Sequence, residues 1–340
     1  MDDNANPEPW PSVSVIMPVL DEERHLAESV RYILAQDYPG SLELVIALGP
    51  SRDRTDAIAA QLCADDPRVR TVPNPSGRTP AGLNAAIGAS RNEIVVRVDG
   101  HGLLAPGYIR NAVNLLARTG AANVGGVMHA EGQSVFERAV AVAMTSKLGV
   151  GSAKFHTGGV EGPADTVYLG VFPREILEKH HGYNETFIRA QDWELNHRIR
   201  EAGGLVYFSP ELDVTYRPRP NLRALGLQYL HYGRWRRVVM RTHSGTASVR
   251  YLAPPLAVLA VLLGTVLGVL SFFTTPWLAL GFAAPLGYAA GIGLGSLRES
   301  RGQGAGVRLR LPLVLATMHF CWGWGFLTSP KSLYRSTLQG

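Results

Sequence analysis

The C-terminal third of this 340-residue chain has almost no acidic residues. Residues 214–340 carry 14 Lys and Arg but a single carboxylate, Glu299, which gives a net charge of +13. Residues 1–213 carry 19 basic and 27 acidic side chains, a net charge of −8. The basic character of the whole protein therefore belongs to its C-terminal part. Since the N-terminal part is net acidic, we expect no nucleic-acid partner.

Charged residues are absent altogether between Tyr251 and Leu297. About 20 mainly apolar residues cross a bilayer, so this interval predicts two membrane spans, at 252–273 and 277–297. The apolar run 311–327 predicts a third span, with an interfacial or re-entrant helix as the alternative. Arginines precede the first span and separate the second from the third, which places both regions in the cytoplasm. With no signal peptide at the N-terminus, we predict a multi-pass protein of the inner (cytoplasmic) membrane with a cytoplasmic N-terminal domain.

Strand and helix patterns alternate over the first 128 residues. Short β-branched runs predict buried strands, and the segments after them have the apolar spacing of helices. The predicted strands cover 14–19, 42–48, 69–72, 94–98 and 124–128. This alternation implies parallel pairing through right-handed crossovers, in a doubly wound α/β domain. With only Cys63 and Cys321 in the chain, neither a disulfide framework nor a thiolate metal cluster is expected.

One of these strands ends in Asp99-Gly100-His101. Open α/β sheets bind ligands at the carboxyl ends of their strands. Because Gly100 has no Cβ, the two flanking side chains can turn toward one point. A carboxylate and an imidazole in that position can hold Mg²⁺ or Mn²⁺ against a diphosphate. An ordinary Asp-Gly turn is the alternative.

A second acidic segment begins at Gln191. Its apolar spacing predicts a helix that ends at Gly203 or Gly204. Asp192 lies in the first turn, where the helix dipole favours the ionised form. An ionised Asp there can accept a proton from a hydroxyl group held in line with an electrophile. A simple N-cap is the alternative role for Asp192, and a surface ion pair is the alternative for Glu194 and Arg198.

Five motifs in this order resemble those of the family-2 inverting glycosyltransferases of GT-A fold, over about residues 12–235. The motifs are Val13-Ser-Val-Ile-Met-Pro18-Val19-Leu20-Asp21-Glu22-Glu23, Ser51-Arg-Asp53-Arg-Thr55, Asn74-Pro-Ser-Gly77-Arg78-Thr-Pro-Ala81-Gly-Leu-Asn84, Asp99-Gly100-His101 and Gln191-Asp192-Trp193-Glu194. Within that family the chain looks most similar to the membrane-attached bacterial enzymes of succinoglycan-type exopolysaccharide assembly.

The resemblance implies a role for each matched residue. Asp192 is the implied catalytic base, and Asp99 and His101 are the implied ligands of a Mn²⁺ or Mg²⁺ cofactor. The residues implied at the nucleotide-sugar donor are Pro18, Val19, Asp21, Glu22, Ser51, Asp53, Arg78, Asn84 and Asp99. Glu194 and Arg198 follow the base and are expected near the acceptor. The basic, aromatic stretch before the first span, with Gln228, Arg234 and Trp235, predicts an interfacial helix that contacts the acceptor or the membrane.

Two departures from the family pattern bear on specificity. A UDP-sugar is the donor expected first. The stretch Ala47-Leu48-Gly49 lacks the acidic residue that usually recognises uracil, so a non-uridine donor stays open. The spacing from Gln228 to Arg234-Trp235 is wider than the Gln-x-x-Arg-Trp element of processive synthases. We therefore expect transfer of one sugar or a few.

The predicted organisation is a flexible segment 1–11, a glycosyltransferase domain 12–216, a basic interfacial segment 217–250, about three spans over 251–328 and a short tail 329–340. The expected reaction moves a sugar from a nucleotide-sugar donor to a polyprenyl-linked saccharide acceptor in cell-surface or exopolysaccharide synthesis. The alternatives are a polyprenyl-phosphate sugar synthase and a catalytically degenerate membrane scaffold.

Overall fold

The computed structural model describes residues 10–337, which divide into two compact units. The first unit comprises Met1–Met128 and Gly158–Tyr216, and the second comprises His129–Thr157 and Arg217–Gly340. The first unit thus ends at residue 216. The glycosyltransferase domain 12–216, like the other domain bounds expected from the sequence, remains a prediction. The segment 129–157, predicted inside that domain, groups with the C-terminal helices instead. The outer parts of the predicted terminal segments, 1–9 and 338–340, lie outside the described residues.

Four parallel strands form one half of the sheet in the first unit. They are β1 (Val13–Val19), β2 (Leu42–Leu48), β3 (Val69–Pro73) and β4 (Ile94–Arg97), with helices α1 (Leu26–Leu34), α2 (Thr55–Asp65) and α3 (Thr79–Ala89) between them. Their spatial order is β3-β2-β1-β4, with Val13 paired to Leu42 on one side and to Ile94 on the other. The strands are apolar because helices cover both faces of such a sheet, and the predicted parallel α/β core is confirmed.

The other half of the sheet is antiparallel. It contains β5 (Gly102–Leu104), β6 (Asn123–Ala130), β7 (Gly162–Pro163), β8 (Tyr168–Pro173) and β9 (Val206–Tyr216). The order continues from β4 as β8-β6-β9-β5, and β8 runs antiparallel to both β4 and β6. The prediction of parallel pairing throughout is therefore wrong for the strand near 124–128. The chain between β6 and β8 passes through the second unit. These two strands are therefore not joined by a crossover helix of the first unit.

Three helices complete the first unit: α4 (Tyr108–Thr119), α8 (Arg174–Lys179) and α9 (Gln191–Glu201). Helix α4 buries Tyr108, Ile109 and Leu116 against the sheet. Helix α9 begins after Ala190, which has a left-handed backbone (φ 61°), and buries Leu195 and Ile199. The predicted helix at 191–203 is thus present and sets the orientation of Asp192.

The second unit is helical. Its helices are α5 (Val135–Met144), α6 (Lys147–Val150), α7 (Lys154–Thr157), α10 (Leu222–Thr242), α11 (Val249–Leu270), a 3₁₀ helix (Pro276–Phe282), α12 (Ala283–Glu299), α13 (Ala305–Leu327) and α14 (Lys331–Thr337). The backbones of helices α10 and α13 are in direct contact. A Cβ on Gly233 would overlap the carbonyl oxygen of Trp322, so the contact requires a glycine at this position. Small residues such as glycine allow two helix backbones to approach this closely.

Two helical stretches, Tyr251–Leu270 and Pro276–Glu299, are long and apolar enough to cross a membrane. Only 22% and 6% of their most apolar windows are buried in the structure, whereas a core helix of a soluble protein would be mostly buried. They agree with the first two predicted spans and support membrane association. Helix α13, which carries Arg308, Arg310 and His319, is not among these candidates. The third span remains a prediction.

Candidate active site

The predicted donor-binding segments follow the carboxyl ends of the parallel strands. The loop after β1 carries Asp21 and Glu22, the loop after β2 carries Ser51 and Asp53, and Asp99 follows β4. Parallel strands all end at one edge of the sheet, so these loops lie side by side. The structure thereby brings together residues that are up to 80 positions apart in the sequence.

The first two loops are tied to each other by their own side chains. Ser51 Oγ accepts a hydrogen bond from Asp21 N at 3.1 Å, and Asp21 Oδ1 accepts one from Arg52 N at 2.7 Å. Asp53 accepts from Glu23 N and Thr55 N, and the hydrogen bond from the Thr55 hydroxyl lowers the pKa of Asp53. These residues therefore shape the loop in the ligand-free protein.

A shallow pocket of about 390 Å³ lies where β2 and β3 end. It is lined by Leu48, Gly49, Pro50, Asp56 and the stretch from Thr71 to Pro75. Apolar side chains and backbone form most of its surface, and Asp56 supplies a carboxylate. Residues 47–50 contain no acid, so the acidic group of this pocket comes from α2 instead, a contribution that the motif comparison did not identify.

The segment before α3 forms a closed turn. Asn74, 4% exposed, donates from Nδ2 to the carbonyl oxygen of Arg78 at 3.1 Å, and Ser76 Oγ donates to Asn74 Oδ1 at 2.9 Å. The Arg78 side chain is exposed at the N-terminus of α3. Helix N-termini attract anions such as phosphate. A phosphate bound at this helix end would lie within reach of the Arg78 guanidinium.

Asn84, predicted at the donor, joins two segments of the protein through its side-chain hydrogen bonds. Its side chain donates to the carbonyl oxygen of Tyr183 and accepts from Tyr183 N, both at 2.8 Å, and it also donates to Glu185 at 3.0 Å. These bonds fix the segment before α9 against α3. Contact between Asn84 and the donor remains a prediction.

Asp99, Gly100 and His101 form the turn after β4. A Cβ on Gly100 would lie 3.0 Å from Val19 and 3.1 Å from Glu22, so a glycine allows this turn to pack on the first loop. Glu22 Oε1 lies 2.8 Å from His101 Nδ1. The ring of His101 is therefore oriented by a carboxylate, as the rings of metal-binding histidines usually are.

Asp99 and Asp192 meet at one guanidinium group, that of Arg97. Arg97 is 3% exposed at the end of β4, and its Nη2 donates to Asp99 Oδ1 at 3.0 Å. Its Nη1 forms an ion pair with Asp192 Oδ1. The two carboxylates that the sequence singled out, 93 residues apart, thus meet at one side chain in the first unit. Arg97 itself was not identified from the sequence.

Charge keeps Asp99 ionised. Burial raises the pKa of Asp99, but the charge and hydrogen bond of Arg97, together with electrostatic contributions from His101 and Arg189, outweigh burial and hold the pKa below its usual value. Tyr183, 2% exposed, lies beside this cluster with its ring centroid 5.9 Å from the Arg97 guanidinium carbon. Burial raises the pKa of Tyr183 to about 12, so its hydroxyl stays neutral.

The donor groups near Asp99 determine whether a cation could bind there. Among residues 10–337, no group of three or more His, Cys, Asp and Glu side chains is placed to hold a metal ion. Mg²⁺ commonly takes only one or two protein carboxylates and completes its shell with substrate phosphates and water. An ionised Asp99, 23% exposed at its side chain, next to a carboxylate-oriented His101 fits such a site.

Glu194 and Arg198 form an ion pair on α9. Glu194 is 1% exposed, and Arg198 Nε donates to its Oε1 at 2.7 Å. Arg198 also donates to the carbonyl oxygens of His180 and Gly182. The pair therefore holds the segment before α9 in place, and its burial favours this role over direct contact with an acceptor.

Substituting Glu194→Gln is expected to lower the free energy of unfolding by about 3 kcal/mol, because it leaves the guanidinium of Arg198 without its charged partner. Glu201→Gln, on the exposed end of the same helix, is the matched control and is expected to change stability by less than about 0.5 kcal/mol. Denaturant unfolding measures both. Equal stability of the two variants would show that the ion pair contributes nothing.

The predicted acceptor residues of the second unit lie on α10. Gln228 Nε2 donates to the Tyr232 hydroxyl at 2.9 Å, and the carbonyl oxygen of Arg234 accepts from Ser329 Oγ at 2.9 Å. Trp235 is 4% exposed, so its ring packs inside the helical unit. The predicted long basic helix before the first span is present, and contact of its side chains with an acceptor remains a prediction.

Known proteins share both the sequence pattern and the fold. The model of the Glycosyl transferase family 2 matches residues 14–180. The succinoglycan biosynthesis protein ExoA of Rhizobium meliloti (strain 1021) is 31% identical over 314 residues, which cover 92% of this chain and 93% of that protein. A dolichyl N-acetyl-alpha-D-glucosaminyl phosphate 3-beta-D-2,3-diacetamido-2,3-dideoxy-beta-D-glucuronosyltransferase of Methanococcus voltae is 21% identical over 71% of this chain and 77% of its own length.

A solved structure shows the same architecture. The mannosyltransferase PcManGT from Pyrobaculum calidifontis, in complex with GDP-Man and Mn²⁺, aligns with a TM-score of 0.56 at 19% identity over 94% of this chain and 88% of its own. The mixed sheet with its ligand edge at the parallel strands is thus a GT-A glycosyltransferase fold, as predicted. The chain belongs to glycosyl transferase family 2.

Proposed function

We propose that this protein is an inverting, metal-dependent glycosyltransferase that moves a sugar from a nucleotide-sugar donor to a polyprenyl-linked saccharide in exopolysaccharide synthesis. The observation that carries the proposal is the meeting of Asp99 and Asp192 at Arg97. Transfer with inversion needs one group on the leaving-group side and one base on the nucleophile side. A cleft that holds two separate carboxylates provides both.

Asp192 acts as the base. Its carboxylate is 33% exposed, so an acceptor hydroxyl can reach it and donate its proton. The acceptor oxygen attacks the anomeric carbon as the bond from that carbon to the diphosphate oxygen breaks, and the electron pair leaves with the nucleoside diphosphate. A single displacement inverts the anomeric configuration, so an α-linked donor gives a β-linkage. Correct placement of the hydroxyl supplies most of the acceleration, since an ionised Asp is a weak base.

Charge on the departing diphosphate is stabilised from the other side of the cleft. Asp99 and His101 would hold a divalent cation, which when bound supplies positive charge to the leaving phosphates. Arg78, exposed at the N-terminus of α3, adds a cation of the protein itself, together with the amide dipoles of that helix.

The pocket at the ends of β2 and β3 suits the donor's base. Its apolar and backbone surface fits a flat heterocycle, and Asp56 can accept hydrogen bonds from ring N–H groups. A UDP-sugar is the first candidate. A guanine nucleotide is the second, supported by the GDP-mannose and Mn²⁺ bound to the structural relative PcManGT.

A lipid-linked acceptor is supported by two observations. One relative is a succinoglycan biosynthesis protein, and another is named for its action on a dolichyl-linked sugar phosphate. The helix before the first apolar stretch, α10, carries Arg223, Arg234, Arg236, Arg237 and Arg241 and no acidic residue. Such a helix favours lipid phosphates at a cytoplasmic membrane surface, in keeping with a multi-pass protein whose catalytic unit is cytoplasmic.

The donor is tested with the purified full-length protein in detergent, with Mn²⁺ and a panel of UDP-, GDP- and dTDP-sugars. We expect one class of nucleotide-sugar, at a concentration 100 times its dissociation constant, to stabilise the protein by about 2.7 kcal/mol. This stabilisation raises Tm by about 5 °C. Free sugars and nucleoside monophosphates serve as controls. No stabilisation by any nucleotide-sugar would contradict the proposal.

The acceptor is tested by transfer of a radiolabelled sugar into a lipid extract. We expect label in a lipid-linked saccharide longer than one sugar after mild acid release. Label released as a monosaccharide would identify a polyprenyl-phosphate sugar synthase instead. Label confined to water-soluble products would refute the lipid acceptor.

A further inference from the structure

Arg97 is a buried cation inside an apolar strand. It lies between Val96 and Val98, both 0% exposed, and is itself only 3% exposed. Charged side chains are seldom this buried unless they are paired. The sheet alone has no need of a guanidinium here, since the preceding residues of β4 are aliphatic.

The charged partners of Arg97 are the two carboxylates of the site. One arm of the guanidinium reaches Asp99 at 3.0 Å, and another reaches Asp192. Guanidinium is planar and offers five N–H donors in a fixed fork, so one arginine can hold two carboxylates in a set orientation. The ammonium group of lysine has no such fork.

We propose that Arg97 is a positioning residue that holds Asp99 and Asp192 at a fixed spacing. Without it, the two negative charges would repel each other and their side chains would adopt other rotamers. Its effect on catalysis rests on the proposed function of the two carboxylates. The bridge itself does not rest on that function and can be measured without it.

Arg174 offers a matched control. It is also partly buried in the first unit, but it donates to the carbonyl oxygen of Asn92 at 2.6 Å and to Ser90 Oγ at 2.8 Å. It therefore stabilises the fold without contacting either carboxylate. A general loss of packing should affect Arg97 and Arg174 variants alike, whereas a positioning role should separate them.

Carboxyl footprinting of the ligand-free, metal-free protein tests the bridge directly. Carbodiimide with glycine ethyl ester labels accessible carboxylates, and mass spectrometry reports each site. In Arg97→Met and Arg97→Lys we expect labelling of Asp99 and Asp192 to rise several-fold, with Asp66 unchanged as an internal reference. Arg174→Met should leave both sites as in the native protein. Unchanged labelling in folded Arg97 variants would overturn the proposal.

Kinetic measurements distinguish a positioning role of Arg97 from a purely structural one. Arg97→Lys, which keeps the charge, is expected to lower kcat about 100-fold, the usual cost of misplacing reacting groups by about 1 Å. KM for the donor should change much less than kcat, and Arg174→Lys should retain native rates. If the native protein transfers no sugar, the proposed function fails while the footprint still decides the role of Arg97.

Two further variants cover the case in which neither Arg97 variant folds. In Asp192→Asn, Arg97 keeps Asp99 as its single charged partner and should hold it more tightly, so Asp99 labelling is expected to fall. Asp99→Asn should likewise reduce labelling of Asp192. If each carboxylate labels independently of the other, Arg97 does not couple them.

Discussion

Replacing Asp192 with Asn is expected to lower kcat for sugar transfer by about 10³-fold, the middle of the range for loss of a general base. An amide of the same shape cannot take the proton of the acceptor hydroxyl. The fold should persist, because the segment before α9 is held by Glu194, Arg198 and Asn84. Single-turnover transfer with the preferred nucleotide-sugar measures the effect.

The affinity for the donor separates a base from a structural residue. We expect Asp192→Asn to bind the nucleotide-sugar within about threefold of the native protein, since interactions made only in the transition state change kcat rather than binding. Glu201→Gln, on the same helix, should match the native protein in both measurements. A large loss of donor affinity in Asp192→Asn would mean that Asp192 builds the donor site.

The parallel half of the sheet could be predicted because its signal is local. Strands β1, β2 and β4 contain short apolar runs, and β1, β2 and β3 are each followed directly by a helix. The antiparallel half could not be predicted in this way. Strands β8 and β9 pair with partners far along the chain, and local periodicity carries no information about distant pairing.

Membership of the segment 129–157 in the helical unit was missed for a related reason. Helix α5 has a clear start, a capping box in which Ser134 and Glu137 hydrogen-bond to each other's backbone. A capping box predicts where a helix begins, but it does not tell which neighbour covers the apolar face. That face packs on α13, about 170 residues later in the chain.

The same distinction between local sequence patterns and contacts distant in sequence applies to the site. Asp99 and Asp192 could be proposed from the sequence because a carboxylate after a buried strand and a carboxylate in a first helical turn are local patterns. Arg97 and Asp56 could not be proposed in this way, because their possible roles depend on what lies opposite them in space. Asn84 was assigned to the donor by its motif, whereas its side chain bonds in the structure are to Tyr183 and Glu185.

Removing the divalent cation is expected to stop transfer, and Mn²⁺ or Mg²⁺ should restore it. A bound cation typically contributes several kcal/mol of transition-state stabilisation, so Asp99→Asn in saturating Mn²⁺ is expected to transfer sugar about 100-fold more slowly, a loss of about 2.7 kcal/mol. The variant should also need a higher Mn²⁺ concentration for half its maximal rate. Titration of the rate with Mn²⁺ after chelation measures both effects.

The control is Asp66→Asn, which also removes a carboxylate paired with an arginine, Arg68 at 2.7 Å. Asp66 lies on the surface after α2, so its loss should change neither the rate nor the Mn²⁺ requirement. Full activity in excess chelator would refute a metal role for Asp99 and His101. In that case Arg78, exposed at the N-terminus of α3, would have to stabilise the departing diphosphate without a metal ion, and Arg78→Gln would then lower the rate more than Asp99→Asn does.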